Sequence, residues 1–167
     1  MFTDASFANN QDFSSQIGFV IVLADDSSKA NIIYWSFIKC KRITRSVLAL
    51  KLYAMAYSFN MGAAIKATLK KILQQLTPLV LCIDLKSLYE CLVKLGTTHE
   101  KRLIIDLMCL RQSYKRREIA EVRWIDGKNN PANAITKKKP CQALSSLINT
   151  NTIRLDATEW VERRKEL

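Results

Sequence analysis

Acidic residues are scarce and unevenly placed in this chain of 167 residues, where 15 aspartates and glutamates stand against 26 lysines and arginines, a formal charge of +11. None lies between Asp26 and Asp84, an interval that holds only basic charge, and none lies between Asp126 and Asp156. A surplus of this size favours a polyanionic partner, either nucleic acid or an anionic membrane. His99 is the sole histidine, and Cys40, Cys82, Cys91, Cys109 and Cys141 include no C-x-x-C pair, so a spaced zinc motif is excluded. This odd, scattered set points to reduced thiols in an intracellular protein of the cytoplasm or nucleus, with each cysteine filling the core beside an apolar run. The N-terminus lacks the early basic cluster of a signal peptide. The most apolar stretch, Val47 to Ile65, is interrupted by Lys51, Ser58 and Asn60 and reads as a buried helix, with no membrane contact expected. What remains, 49% hydrophobic and 25% charged residues, is the composition of a folded globular domain. A chain of this length buries about 70% of its unfolded surface and needs no disulfide or structural metal.

Ile17 to Ala24 and Ile32 to Ile38 are apolar, β-branched and aromatic runs flanking Asp25-Asp26-Ser27-Ser28, which predicts a β-hairpin; Met1 to Phe7 predicts a short strand before it. From Arg45 to Leu76 there is no proline, and Leu48, Leu52, Met55 and Phe59 recur at helical spacing, so one long helix or two consecutive ones should run to Pro78. Leu79 to Ile83 reads as a buried strand closed by Asp84, followed by a helix from Lys86 to Leu95 that stops at Gly96. Thr97 and Glu100 are spaced as a capping box for a helix carrying Leu103, Leu107 and Leu110, with His99 at its start. Val122 to Ile125 is a further strand, and Pro131 suits the first turn of a helix reaching Ile148. The order is βββαβααβα, one α/β domain over residues 1–148, with 149–167 as a peripheral tail. Trp35 and Trp124 fall on strands and are expected in the core.

Three landmarks carry the chemistry: Phe2-Thr3-Asp4-Ala5-Ser6 on the first strand, Asp84 after the fourth, and Asn130-Pro131-Ala132-Asn133-Ala134-Ile135-Thr136-Lys137 before the last helix. Together with Arg45-Ser46 ahead of the long helix and the Asp-x-Lys-Ser-Leu step from Asp84 to Leu88, they resemble the ribonuclease H domain of copia-type retrotransposon polyproteins, those of fungal elements above all. The resemblance covers most of the chain. It implies a ribonuclease H-like fold, a five-stranded mixed sheet flanked by helices, in which four carboxylates hold two magnesium ions that cut the RNA strand of an RNA/DNA hybrid. Two hard cations about 4 Å apart repel each other and need several anionic oxygens to offset that repulsion.

Carried over residue by residue, the first and third acids of that set are Asp4 and Asp84, the only metal ligands retained. Where the family places a glutamate ahead of Leu52-Tyr53-Ala54-Met55, this chain has Lys51, and where it places an aspartate in the Asn-Pro-Ala motif, this chain has Asn133. A lysine does not ligate magnesium at neutral pH and an amide brings no charge, so the expectation is an inactive, pseudoenzyme site without bound magnesium. Glu to Lys and Asp to Asn are each a single G-to-A transition, which points to a decayed element. Asp126 is the nearest substitute acid, but the turn at Gly127-Lys128 should direct it away. The implied partner is an RNA/DNA hybrid or other nucleic acid, bound weakly and in a salt-dependent way, with Lys39, Lys41, Arg42, Lys137, Lys138 and Lys139 as candidate contacts. Two alternatives stand beside this reading, an active magnesium-dependent ribonuclease H and a recruited protein-interaction module. Because Met1 precedes Asp4 by only three residues, upstream sequence of a larger reverse transcriptase polyprotein is also expected.

Overall fold

The computed structural model describes residues 1–7, 11–94, 98–137 and 139–155, together with the backbone of 157–160. Gln16–Ala24 (β2) and Ala30–Lys39 (β3) form the expected antiparallel hairpin. The Asp25 carboxylate closes its turn by accepting from the backbone N–H groups of Ser27 and Lys29, both at 2.9 Å. Phe2–Ser6 (β1) pairs antiparallel with β2 and parallel with Val80–Ile83 (β4), which runs parallel to Glu121–Ile125 (β5). β1 is buried throughout although it carries Thr3, Asp4 and Ser6, and β4 is mostly buried, as its unbroken apolar run requires of a central strand.

Val47–Leu73 is one continuous helix (α1). The Ser46 hydroxyl starts it, accepting from the Ala49 N–H at 3.1 Å while donating to the Glu100 carboxylate. The helix stops at Leu73 because Gln74 turns left-handed at φ 52°, ahead of the expected stop at Pro78. Lys86–Val93 (α2) and Ile104–Lys115 (α3) follow, the latter entered through a 3-10 turn at Lys101–Leu103. Leu52 and Met55 of α1, Leu88 and Leu92 of α2, and Leu107 and Leu110 of α3 pack on Phe19, Leu81, Ile83 and Val122 to make the main core. On the opposite face Phe2, Val20, Cys82 and Ile125 pack under Ala132, Ile135, Ile153 and Leu155. Among the described residues no helix is long and apolar enough to cross a membrane.

Several expectations are corrected. The last helix is two short ones, Asn133–Thr136 (α4) and Gln142–Thr150 (α5), because Pro140 lacks an N–H and keeps the residue before it out of the helical region. The described part of the tail packs on the sheet. Ile153 and Leu155 join the second core, and Ala157–Trp160 (β6) pairs antiparallel with β5, so the mixed sheet has the five expected strands plus a sixth, in the order β3-β2-β1-β4-β5-β6. Trp35 is 57% exposed on the edge strand β3, and Trp124 is half-buried with the Lys86 ammonium 5.4 Å from its ring. Cys82 and Cys91 are buried, whereas Cys109 is exposed on α3 and Cys40 and Cys141 are half-buried. The predicted helix end at Gly96 and the Thr97 half of the capping box lie outside the described residues; Glu100 turns to Ser46, and His99 is exposed ahead of the 3-10 turn.

Gly18 sets how closely α4 approaches the sheet. A Cβ there would stand 2.7 Å from Thr136 Cγ2 and 3.0 Å from Ile135 Cγ1, both on β-branched side chains with little freedom to move. Gly18→Ala should therefore cost about 1–3 kcal/mol of stability through overpacking, seen as a lower urea midpoint with an unchanged slope. A stability equal to that of the parent would show that α4 is free to lift.

Candidate functional site

The site lies where the two central parallel strands part, with Asp4 in the middle of β1 and Asp84 directly after β4. β1 and β4 are in register at Phe2 and Cys82. Two residues on, alternation brings Asp4 and Asp84 to the same side of their strands, so their carboxylates converge as the sequence implied. Lys51, in the second turn of α1, reaches into the gap between them. Its ammonium donates to Asp4 Oδ1 at 3.0 Å and to Asp84 Oδ1. The side chains of Asp4, Asp84 and Lys51 are 0%, 6% and 14% exposed, so the three charges are largely withdrawn from water.

The loop leading into α4 completes the site. Buried Asn130 fixes it to the first strand, donating from Nδ2 to the Thr3 carbonyl at 2.9 Å while its Oδ1 accepts from the Ala132 N–H at 3.1 Å. Thr136 then presents its hydroxyl to Asp4 Oδ2, an approach that Gly18 permits. Lys137, its side chain still 45% exposed, reaches the site from the surface, its ammonium 2.8 Å from Asn133 Oδ1 and 3.7 Å from Asp4 Oδ2. Asn133 Nδ2 donates to the Gly127 carbonyl. A Cβ at Gly127 would lie 3.5 Å from Asp84 Oδ2 and 3.8 Å from Asn133 Nδ2, which puts the Asn133 amide beside Asp84, at the corner where the sequence reading placed the missing fourth acid. Two carboxylates thus face two ammoniums, and the cluster is neutral.

Burial alone would favour the uncharged amine of Lys51, but Asp4 and Asp84 outweigh it and raise its pKa above the ordinary 10.5. Lys51 is therefore an ammonium throughout the neutral range.

Asp4, Asp84, Lys51 and Asn133 all meet here. Asp126 does not: its carboxylate caps its own turn, accepting from the Lys128 N–H at 2.8 Å. The candidate nucleic-acid contacts divide. Lys137 belongs to the ion cluster, Lys138 lies outside the described residues, and Lys139 is exposed. Lys39 pairs on the surface with Asp12, whose carboxyl this ion pair and Ser14 hold well below the usual range. Lys39, Lys41 and Arg42 border a groove of about 710 Å³ floored by Ile17 and Tyr53. Arg42 lies over the Tyr53 ring at 4.6 Å and 3.4 Å from Asp106. Sequence reasoning missed Thr136 and the reach of Lys137 to the site; the four-residue spacing from Asn133 to Lys137 was the available signal, because it stacks those side chains on one helix face. Among the described residues no group of three or more histidine, cysteine, aspartate or glutamate side chains is placed to hold a metal ion. No protein-family model matches this chain, and no curated protein matches it.

Removing the Lys51 charge strands two buried carboxylates. Lys51→Met should cost about 3–5 kcal/mol at neutral pH, measured by urea unfolding. Because the folded pKa lies above the unfolded one, the contribution of Lys51 is complete below about pH 10.5 and is lost as pH rises through the raised value. Wild type should accordingly lose its advantage over Lys51→Met only in strong alkali. Equal stabilities at pH 7 would contradict the bridging role.

Proposed function

We propose that this chain is a ribonuclease H-like domain descended from a copia-type retrotransposon reverse transcriptase polyprotein, one that keeps a nucleic-acid-binding fold and has lost two-metal hydrolysis. The observation that carries the reading is the Lys51 ammonium held between Asp4 and Asp84. It stands on the helix that supplies an acid in the resembled family, and it occupies the gap between the two carboxylates. The strand order, with antiparallel β3-β2-β1 followed by parallel β4 and β5, supports the ancestry.

A magnesium pair does not fit these residues. Its ligands would have to offset four positive charges. Asp4 and Asp84 bring two negative charges, and both are already engaged by Lys51, with Thr136 and Lys137 taking the second oxygen of Asp4. Asn133 spends its amide nitrogen on Gly127 and its oxygen on Lys137. What the residues do supply is rigidity: the ammonium joins α1 to β1 and to the end of β4, and the Asn130 and Thr136 bonds fasten the α4 loop over them.

Affinity for nucleic acid rests on the charge of +11, which lies mostly on the surface. Binding of an RNA/DNA hybrid should be modest and should weaken steeply with salt, because phosphate contacts release counterions. Equal binding at low and high salt would favour the protein-interaction module.

Isothermal titration with magnesium and a hybrid-cleavage assay test the loss of chemistry together. The unmodified protein should bind no magnesium at millimolar concentration and cleave no hybrid. Lys51→Glu combined with Asn133→Asp restores four carboxylates and should create magnesium binding, with either single change doing much less. Magnesium-dependent cleavage by the unmodified protein would establish the active ribonuclease H instead, and a double variant that still binds no magnesium would contradict the account of why the site is inactive.

A further inference from the structure

We propose that the outer face of β3 binds single-stranded nucleic acid by stacking bases on Trp35 and Phe37. These side chains are 57% and 52% exposed, and their rings lie parallel within 5° with centroids 6.3 Å apart. Such a pair on an edge strand leaves two aromatic faces open to water beside basic residues, and aromatic faces on a sheet are a sequence-tolerant platform for successive bases. Alternation puts Lys39 on the same face one step further along.

The pair is tied to the site already described through sheet register. Asp4 is opposite Gly18 and Gly18 is opposite Phe37, while Phe2, Val20 and Trp35 form the next row. Thr136 and Ile135 cover Gly18, so α4 lies beside the row of the sheet that ends at Phe37. α5 ends where the Asn151 carbonyl accepts from the Ala30 N–H, at the start of β3, and both rings remain more than half exposed. Lys39, whose ammonium also pairs with Asp12, is the basic residue nearest in register on this face, and the whole chain carries +11. This combination matches a flexible polyanion with exposed bases. A second copy fits less well, since two chains of +11 repel and the register shift at Ile21/Val22 bulges the β3 edge at Ile33. The inference does not rest on the retrotransposon ancestry or on the fate of the metal site.

The test is fluorescence anisotropy of a dye-labelled oligodeoxythymidylate and of a blunt RNA/DNA hybrid against the full chain. Trp35→Ala with Phe37→Ala should weaken oligodeoxythymidylate binding about tenfold or more, as loss of base stacking does, and affect the hybrid much less. Trp35→Phe should keep the affinity but lose part of the tryptophan quenching that the oligonucleotide causes in wild type. Both positions are exposed, and matching circular dichroism spectra establish that the variants fold. A double variant that binds oligodeoxythymidylate like wild type overturns the proposal while leaving hybrid binding intact. A wild-type dimer that dissociates in the double variant, with no oligonucleotide binding, overturns it in favour of a second copy. Failure of wild type to bind either probe overturns this proposal and the nucleic-acid affinity proposed above together.

Discussion

Two carboxylates buried side by side, Asp4 within β1 and Asp84 directly after β4, repel each other unless something positive lies between them. Here that is the Lys51 ammonium, and the surrounding architecture serves to hold it there. Opposite charges about 4 Å apart gain roughly 4 kcal/mol of gross attraction at an effective dielectric of 20, and desolvation cancels much of it. The net value of such a cluster lies less in added stability than in the penalty for breaking it. α1 must stand at one height over the sheet for Lys51 to reach both acids, and the Ser46 cap with its bond to Glu100 fixes that height from the far side of the helix start. Gly18 lets Thr136 reach Asp4 from the opposite side of the sheet, so β1 is clamped from both faces.

The same clamp accounts for the unevenness of the surface. Beside the row at Gly18 that α4 covers, Trp35 and Phe37 stand more than half exposed on β3. On the other edge, β6 pairs with β5. β6 is thus the edge strand on that side, and β3 on the other side carries the aromatic rings.

Much of the framework was legible from local pattern. The hairpin, β4 and the long helix follow from apolar periodicity and from turn residues at their ends, and these are properties of neighbours in sequence. The convergence of Asp4 and Asp84 followed from the resemblance, which made the strand carrying Asp4 a parallel neighbour of the one ending at Asp84. Other features depend on what arrives from far away in the chain. Trp35 sits on a strand as expected, but its exposure depends on what packs beside β3. Lys137 reads as surface charge until Asn133 and Asp4 are brought beside it. The sixth strand is only four residues long, too short for its alternation to separate it from a loose tail. The break at Pro140 was legible in principle, because a proline that far inside a helix removes a donor and clashes with the preceding turn.

Paramagnetic broadening by manganese(II) addresses the central claim most directly, because a manganese ion held by Asp4 and Asp84 relaxes nearby amide protons strongly in a heteronuclear NMR spectrum. With Lys51 in place between the two acids, the amide signals of Asp4, Ala5, Asp84 and Leu85 should persist on addition of millimolar manganese, broadened no more than those of exposed surface residues. Selective loss of those four signals at low manganese would mean that a divalent ion displaces the ammonium and binds between the two acids, and would contradict the account.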